Sequence, residues 1–122
     1  ILLGDGNGNF VQTTPLPLPS YSNPKALATG DINNDHRRDI VTANTGINNV
    51  GVMLASEYGS FGTQTTYPTG DDTQPCSLVL GDLNGDDHLD IAVSNSYMRN
   101  VGVMLGMGNG TFQAQMTFAT NY

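Results

Sequence analysis

The chain alternates short apolar runs with polar, glycine-rich turns, and no stretch carries the apolar stripe and capping residues of a helix. Nearly continuous apolar runs, which indicate strands covered on both faces, lie at 26–29, 40–43 and 50–54 and again at 77–80, 91–94 and 101–105. Residues 112–118 instead alternate apolar with polar side chains. This alternation predicts a half-buried fourth strand that begins at Phe112, or at Phe61 in the earlier copy.

An internal repeat of 51 residues runs through the chain, and Phe10, Phe61 and Phe112 follow this spacing. Between 30–54 and 81–105, 13 of 25 positions are identical without a gap, which excludes chance similarity. Four short strands in a unit of this length are typical of a propeller blade. The sequence therefore predicts an all-β fold made of β-propeller blades of four antiparallel strands, with an open β-solenoid array as the alternative.

The repeat divides the chain into about 2.5 blades. Residues 1–19 correspond to the third and fourth strands of a half blade, and full blades follow at 20–70 and 71–122. Two and a half blades cannot close a ring and leave strand edges exposed. We therefore expect a segment of a longer array, and polymerisation from edge to edge is the open alternative.

The third strand of both copies contains a glycine and a methionine at matching places. Gly51 and Gly102 would weaken an isolated strand, so they predict the close approach of a neighbouring backbone. Met53 and Met104 are expected in the core.

An acidic composition narrows the choice of partners. The chain has 11 acidic and 4 basic side chains among 122 residues, a net charge of −7. This excess argues against a nucleic acid or an anionic membrane surface as a partner. The apolar runs are also far too short to span a bilayer, so we predict no membrane insertion. A single cysteine, Cys76, excludes a disulfide scaffold within the chain.

Seven of the eleven acids fall in two nine-residue windows, DINNDHRRD at 31–39 and DLNGDDHLD at 82–90. Clustered carboxylates repel one another, and a bound cation removes that repulsion. Oxygens at alternate positions of a tight loop suit Ca²⁺, so we predict two calcium sites, one per full repeat. The predicted ligands are the side chains at positions 1, 3, 5 and 9 and the backbone carbonyl at position 7: Asp31, Asn33, Asp35, Asp39 and Arg37 in the first window, and Asp82, Asn84, Asp86, Asp90 and His88 in the second.

Other metal motifs fit these windows less well. The helix-loop-helix calcium motif needs Gly at position 6 and Glu at position 12, where this chain has His36 or Asp87 and Thr42 or Val93. Zinc prefers nitrogen and sulfur ligands over an all-oxygen set. Magnesium is an alternative, although it prefers a more rigid octahedron with more water.

The 51-residue repeat, with DxNxDxxxD between two strands and DIAVSNS at 90–96, resembles the FG-GAP and VCBS-type repeats, which build calcium-binding β-propellers such as the head of integrin α chains. The pair at 61–62 matches the FG element, whereas the pairs at 10–11 and 112–113 depart from it. The resemblance implies that the loop residues named above are calcium ligands. It also implies that the chain is extracellular, either secreted or at the cell surface, and that it binds or adheres rather than catalyses.

We therefore predict a non-catalytic, extracellular calcium-binding repeat segment for adhesion or for recognition of a protein or glycan, with calcium in a structural role. Neighbouring repeats of the same or a longer chain are the other expected partners. The alternatives are a structural repeat of a self-assembling matrix or filament protein and an auxiliary domain of a secreted enzyme. Asn109 begins an Asn-Gly-Thr acceptor sequence and is a predicted glycosylation site if the chain is secreted.

Overall fold

The computed structural model of the chain describes residues 1–57 and 59–120. These residues contain ten strands and one 3₁₀ turn, Thr45–Ile47. The strands are β1 Leu2–Gly4, β2 Phe10–Gln12, β3 Pro24–Gly30, β4 Asp39–Asn44, β5 Asn49–Met53, β6 Thr65–Pro68, β7 Pro75–Gly81, β8 Asp90–Asn95, β9 Asn100–Met104 and β10 Met116–Ala119. No helix in the described residues is long and apolar enough to cross a membrane.

The strands form three antiparallel sheets. β1 and β2 make the N-terminal hairpin, β3–β6 make sheet A, and β7–β10 make sheet B. In sheets A and B each strand pairs with the next one along the chain, which is the up-and-down order of a propeller blade. The predicted all-β fold with four-stranded repeats is therefore confirmed. The described strands form no closed barrel.

The core lies where sheet A and sheet B face each other. Val41 and Val50 of sheet A are fully buried there, as are Ile91 and Met104 of sheet B. The same cluster also contains Ile32, Ala43, Val52, Leu78, Val93 and Phe112. A single sheet cannot bury its own apolar face, so each repeat depends on its neighbour for a core.

The N-terminal hairpin packs on sheet A as sheet A packs on sheet B. A Cβ atom at Gly110 would lie 2.7 Å from Leu54 Cδ1, and a Cβ atom at Gly59 would lie 2.9 Å from Leu3 Cδ1. Leu3 and Leu54 are one repeat apart, and so are the two glycines. The hairpin therefore occupies the place that the outer strands of a preceding sheet would take.

The fourth strands begin later than predicted, at Thr65 and Met116. Phe61 and Phe112 instead each form one isolated bridge across the preceding turn. The residues between bridge and strand leave the ladder, and Gln64 and its counterpart in the next repeat lie in this interruption. Periodicity alone did not reveal this break, because the residues around it keep the alternation.

β10 is more exposed than its alternation predicted. Phe118 is 56 % exposed on this outer strand. Its counterpart one repeat earlier, Tyr67, is partly buried and meets the ring of Phe112 edge to face, with 5.5 Å between the centroids. The difference arises because sheet B covers that side of sheet A, while no described residue covers the same side of sheet B.

Gly51 and Gly102 make room for side chains, so the prediction of a neighbouring backbone at these positions was wrong. A Cβ atom at Gly51 would overlap the side-chain amide of Gln64, and one at Gly102 would overlap that of Gln115. The sequence signal for this contact is a glutamine that follows each glycine by 13 residues.

Gln64 completes a buried polar network that sheet B only partly reproduces. Gln64 Nε2 donates to Thr42 Oγ1 at 2.9 Å, and Thr42 Oγ1 donates to Asn44 Oδ1 at 3.0 Å. In sheet B, Val93 stands in place of Thr42, and the buried Oδ1 of Asn95 has no hydrogen-bond partner among the described residues. An unpaired buried oxygen costs about 1–3 kcal/mol, so sheet B carries a local weakness.

We expect Thr42→Val to lower the free energy of unfolding by about 1–3 kcal/mol, because it leaves the oxygen of Asn44 and the amide of Gln64 unpaired. Val93→Thr should raise it by about 0.5–1.5 kcal/mol, because the new hydroxyl can donate to Asn95. Chemical denaturation of the two variants checks both signs. Equal losses in the two variants would contradict this account of the network.

Candidate metal centre

Each acidic window forms the tight loop between the first and second strand of a four-stranded sheet, 31–39 between β3 and β4 and 82–90 between β7 and β8. Positive φ angles occur at positions 4 and 6 of both loops. They are 60° at Asn34 and 65° at His36 in the first loop, and 81° at Gly85 and 64° at Asp87 in the second. Position 4 was expected to adopt this conformation, and the structure confirms it. The matching angles show that both loops follow the same path.

In the first loop, the side chains at positions 1 and 5 turn inward onto the loop. Asp31 Oδ1 accepts a hydrogen bond from the Asp35 N–H at 3.0 Å, and Asp31 Oδ2 accepts one from the His36 N–H at 2.9 Å. Asp35 Oδ2 accepts one from Asn33 Nδ2 at 3.0 Å. The loop therefore brings together the predicted ligands at positions 1, 3 and 5.

The oxygen of Asn33 is the feature of this loop that the protein itself leaves unsatisfied. Asn33 Oδ1 is shielded from solvent and has no hydrogen-bond partner among the described residues. A buried amide oxygen without a partner is costly, and a cation is one group that can satisfy it. Asn33 is the predicted ligand at position 3, so this orphaned oxygen fits an oxygen-liganded ion.

The second loop repeats the arrangement with a small change. Asp82 Oδ1 accepts from the Gly85 N–H at 2.7 Å, and Asp82 Oδ2 accepts from the Asp87 N–H at 3.0 Å. Asn84 Nδ2 donates to Asp86 Oδ2 at 3.0 Å, as in the first loop. Here, however, Asn84 Oδ1 accepts the Asp86 N–H at 3.2 Å, so the position-3 oxygen is not orphaned.

The aspartates at position 9 are buried anchors. Asp39 is fully buried, and its two oxygens accept the N–H groups of Ile32 and Ala55, each at 2.8 Å. Asp90 accepts those of Leu83 and Gly106 in the same way, also at 2.8 Å. Each carboxylate thus ties the start of its loop to the segment after the third strand. The sequence analysis did not assign this role, and its only signal was that the residue keeps its place in both repeats.

The two loops differ in their balance of charge. The first contains three aspartates and two arginines, and the second contains four aspartates and neither lysine nor arginine. The Arg37 guanidinium lies 3.2 Å from Asp35 Oδ2, so it partly neutralises position 5. Nothing equivalent accompanies Asp86 in the described part of the chain. The second loop therefore carries more uncompensated negative charge.

Hydrogen bonds lower the pKa of one carboxyl group in each loop. The pKa of Asp35 lies below its ordinary value, chiefly because the side chain of Asn33 donates to it. The pKa of Asp82 is lowered mainly by the backbone N–H groups of Asp87 and Gly85. Both groups are therefore ionised at neutral pH. The same effect occurs outside the loops at Asp5, whose pKa is lowered chiefly by the side chain of Asn9.

Carboxylates, imidazoles and thiols do not form a complete metal site by themselves. Among residues 1–57 and 59–120, no three such groups lie close enough to hold an ion. A cation in either loop must therefore draw on amide and carbonyl oxygens, as the predicted sets do through Asn33, Asn84 and the carbonyls of Arg37 and His88. The two carbonyls stay predictions.

Asn109 lies exposed in the turn before Phe112. Its Oδ1 accepts hydrogen bonds from Thr111 N at 3.1 Å and from Thr111 Oγ1 at 2.6 Å. Glycosylation of this side chain stays a prediction.

Asp90→Asn is expected to destabilise the fold by about 2 kcal/mol even without metal, since an amide keeps only one acceptor oxygen for two buried N–H donors. Thermal and urea unfolding in chelator measure the loss. Asp87→Asn, at an exposed position of the same loop, is the matched control and should change stability little. Equal effects of the two substitutions would show that Asp90 is not an anchor.

The model of the FG-GAP-like repeat family matches the chain over residues 1–42 and again over residues 36–93. No curated protein and no solved structure matched the chain. The two family matches together include both acidic loops and cover about three quarters of the 122 residues. The chain therefore belongs to the FG-GAP-like repeat family.

Proposed function

We propose that this chain is a segment of an extracellular β-propeller whose acidic loops bind calcium and which binds a protein or glycan without catalysis. Its family supports the coarser part of this proposal, because FG-GAP repeats form repeat domains that are typically extracellular and non-catalytic. The calcium sites and the binding role are supported by the loops and the fold described above.

The observation that carries the calcium proposal is the orphaned oxygen of Asn33, which lies in a loop whose position-1 and position-5 carboxylates also turn inward. Calcium prefers such oxygen ligands and accepts irregular geometry. When bound, it would neutralise the clustered carboxylates and fix the turn between the first two strands. Asp31, Asn33, Asp35 and the Arg37 carbonyl would hold it in the first loop.

Asp39 and Asp90 can serve as both anchors and ligands. An ionised carboxylate offers about four lone pairs, and each of these groups uses two for backbone N–H donors. We propose that they close the calcium shell with the remaining lone pairs, and that Asp82, Asn84, Asp86 and the His88 carbonyl complete the second site.

The second loop should bind calcium more tightly, because no arginine competes with the ion for its carboxylates. Added calcium should stabilise the chelator-treated chain, by about 2.7 kcal/mol for a site whose free calcium is a hundredfold above its Kd. Asp86→Ala should remove more of this gain than Asp35→Ala. Differential scanning calorimetry and calcium titration calorimetry measure both effects.

Asp5→Ala is the matched control, since Asp5 also accepts backbone N–H groups in a tight turn but lies outside the loops. It should leave the calcium response intact. An unchanged thermal transition at millimolar calcium, or an equal loss of response in Asp5→Ala, would contradict the calcium proposal. Magnesium at the same concentration tests the competing ion.

The open side of sheet B favours the alternative role, a structural repeat that assembles with its neighbours. Val79 is 59 % exposed and Phe118 is 56 % exposed on this sheet, although both belong to apolar strands. Exposed apolar patches of this kind mark association surfaces.

Sedimentation velocity with calcium or chelator, combined with a glycan array, separates the two roles. A ligand-recognition segment should stay a defined species and bind particular glycans or a protein partner. Concentration-dependent fibres without glycan binding would favour the structural role and contradict the recognition role.

A further inference from the structure

The same leucine of the first strand is buried in one repeat and open in another. Leu27 in β3 is 67 % exposed, whereas Leu78, its counterpart in β7, is 7 % exposed. Sheet A covers Leu78 as part of the core. Leu27 instead lines a groove of ≈ 450 Å³ beside sheet A. The other residues of this groove are Ile1, Leu16, Leu18, Pro24, Lys25, Ala26, Ile40, Thr42 and Met53.

The groove lies where an inner pair of strands would complete the N-terminal hairpin. The hairpin corresponds to the outer half of a sheet, because its contact between Leu3 and Gly59 repeats the contact between Leu54 and Gly110. In sheet A, the inner half is β3–β4, and both strands lie against β7 of sheet B. No described strand covers the corresponding surface of β3.

A backbone donor at the edge of the hairpin indicates what could complete it. The Ala55 N–H donates to the buried carboxylate of Asp39, and the Gly106 N–H donates to that of Asp90. Gly4 is the third member of this series, 51 residues before Ala55. It lies at the same ladder position, opposite Phe10, as Ala55 lies opposite Phe61. No carboxylate from a neighbouring strand accepts the Gly4 N–H among the described residues.

We infer that this groove docks a β-hairpin that resembles β3–β4 of this family: two strands with apolar side chains and an aspartate at the start of the second strand. The hairpin would pair with the free edge of β1, its aspartate would accept the Gly4 N–H, and its apolar side chains would cover Leu27. The groove is continuous with the interface already formed between the N-terminal hairpin and sheet A. The inference depends on the repeat packing and not on calcium, so the two proposals can fail separately.

The test uses the whole 122-residue chain, labelled with ¹⁵N, and a synthetic peptide of residues 24–44. The peptide should bind saturably and shift the backbone amide signals of Gly4 and Leu27. An Asp39→Asn peptide should bind about tenfold or more weakly, because it loses the charged acceptor.

Two substitutions in the chain localise the binding. Leu27→Lys should weaken peptide binding about tenfold or more, because a charge would be buried under the hairpin. Val79→Lys, at an exposed apolar position in the first strand of sheet B, should leave the affinity unchanged. If the two variants weaken binding equally, or if the amide shifts fall on sheet B, the inference is overturned.

A linked form of the chain keeps the test decisive when the free peptide does not form a hairpin. A copy of residues 24–51 is placed directly before Ile1, which preserves the 51-residue register. This form should melt at a higher temperature, and Leu27→Lys should destabilise it while leaving the original chain nearly unchanged. If the peptide does not bind and the linked copy leaves both the melting temperature and the effect of Leu27→Lys unchanged, the inference is overturned.

Discussion

The buried carboxylates of Asp39 and Asp90 connect each acidic loop to the sheet that carries it. Each group accepts one N–H from the loop and one from the residue that follows the third strand. A buried charge is tolerated only when it is hydrogen-bonded, so the loop and the third strand keep a fixed spacing. The side chains at positions 1, 3 and 5 are then presented on a loop whose ends cannot move independently.

The sheets in turn depend on one another. Each repeat offers one apolar face to the preceding unit and one to the following unit, and burial is complete only where both are present. Leu78 is covered and Leu27 is not, although the two leucines are equivalent in sequence. Tyr67 and Phe118 show the same contrast at the outer strand. Exposure in this chain therefore reports the position of a repeat relative to its neighbours, and it does not follow from residue type.

The repeat and its strands could be predicted from the sequence because they depend on periodicity. The core methionines Met53 and Met104 and the turn residue Asn34 followed from the same pattern. Other features depend on contacts that periodicity does not encode. The side chain of Gln64 fills the space over Gly51. The two acceptor bonds of Asp39 link segments that are 16 residues apart, and a ligand and an anchor have the same sequence signature.

The central claim of the account is that the loops at 31–39 and 82–90 are calcium sites within a strand-built repeat. Anomalous diffraction from crystals of the chain grown with millimolar calcium tests it most directly. The account predicts one calcium peak in each loop, within about 2.3–2.6 Å of the oxygens at positions 1, 3 and 5. Loops without a peak, while calcium is bound elsewhere in the same crystal, would contradict it.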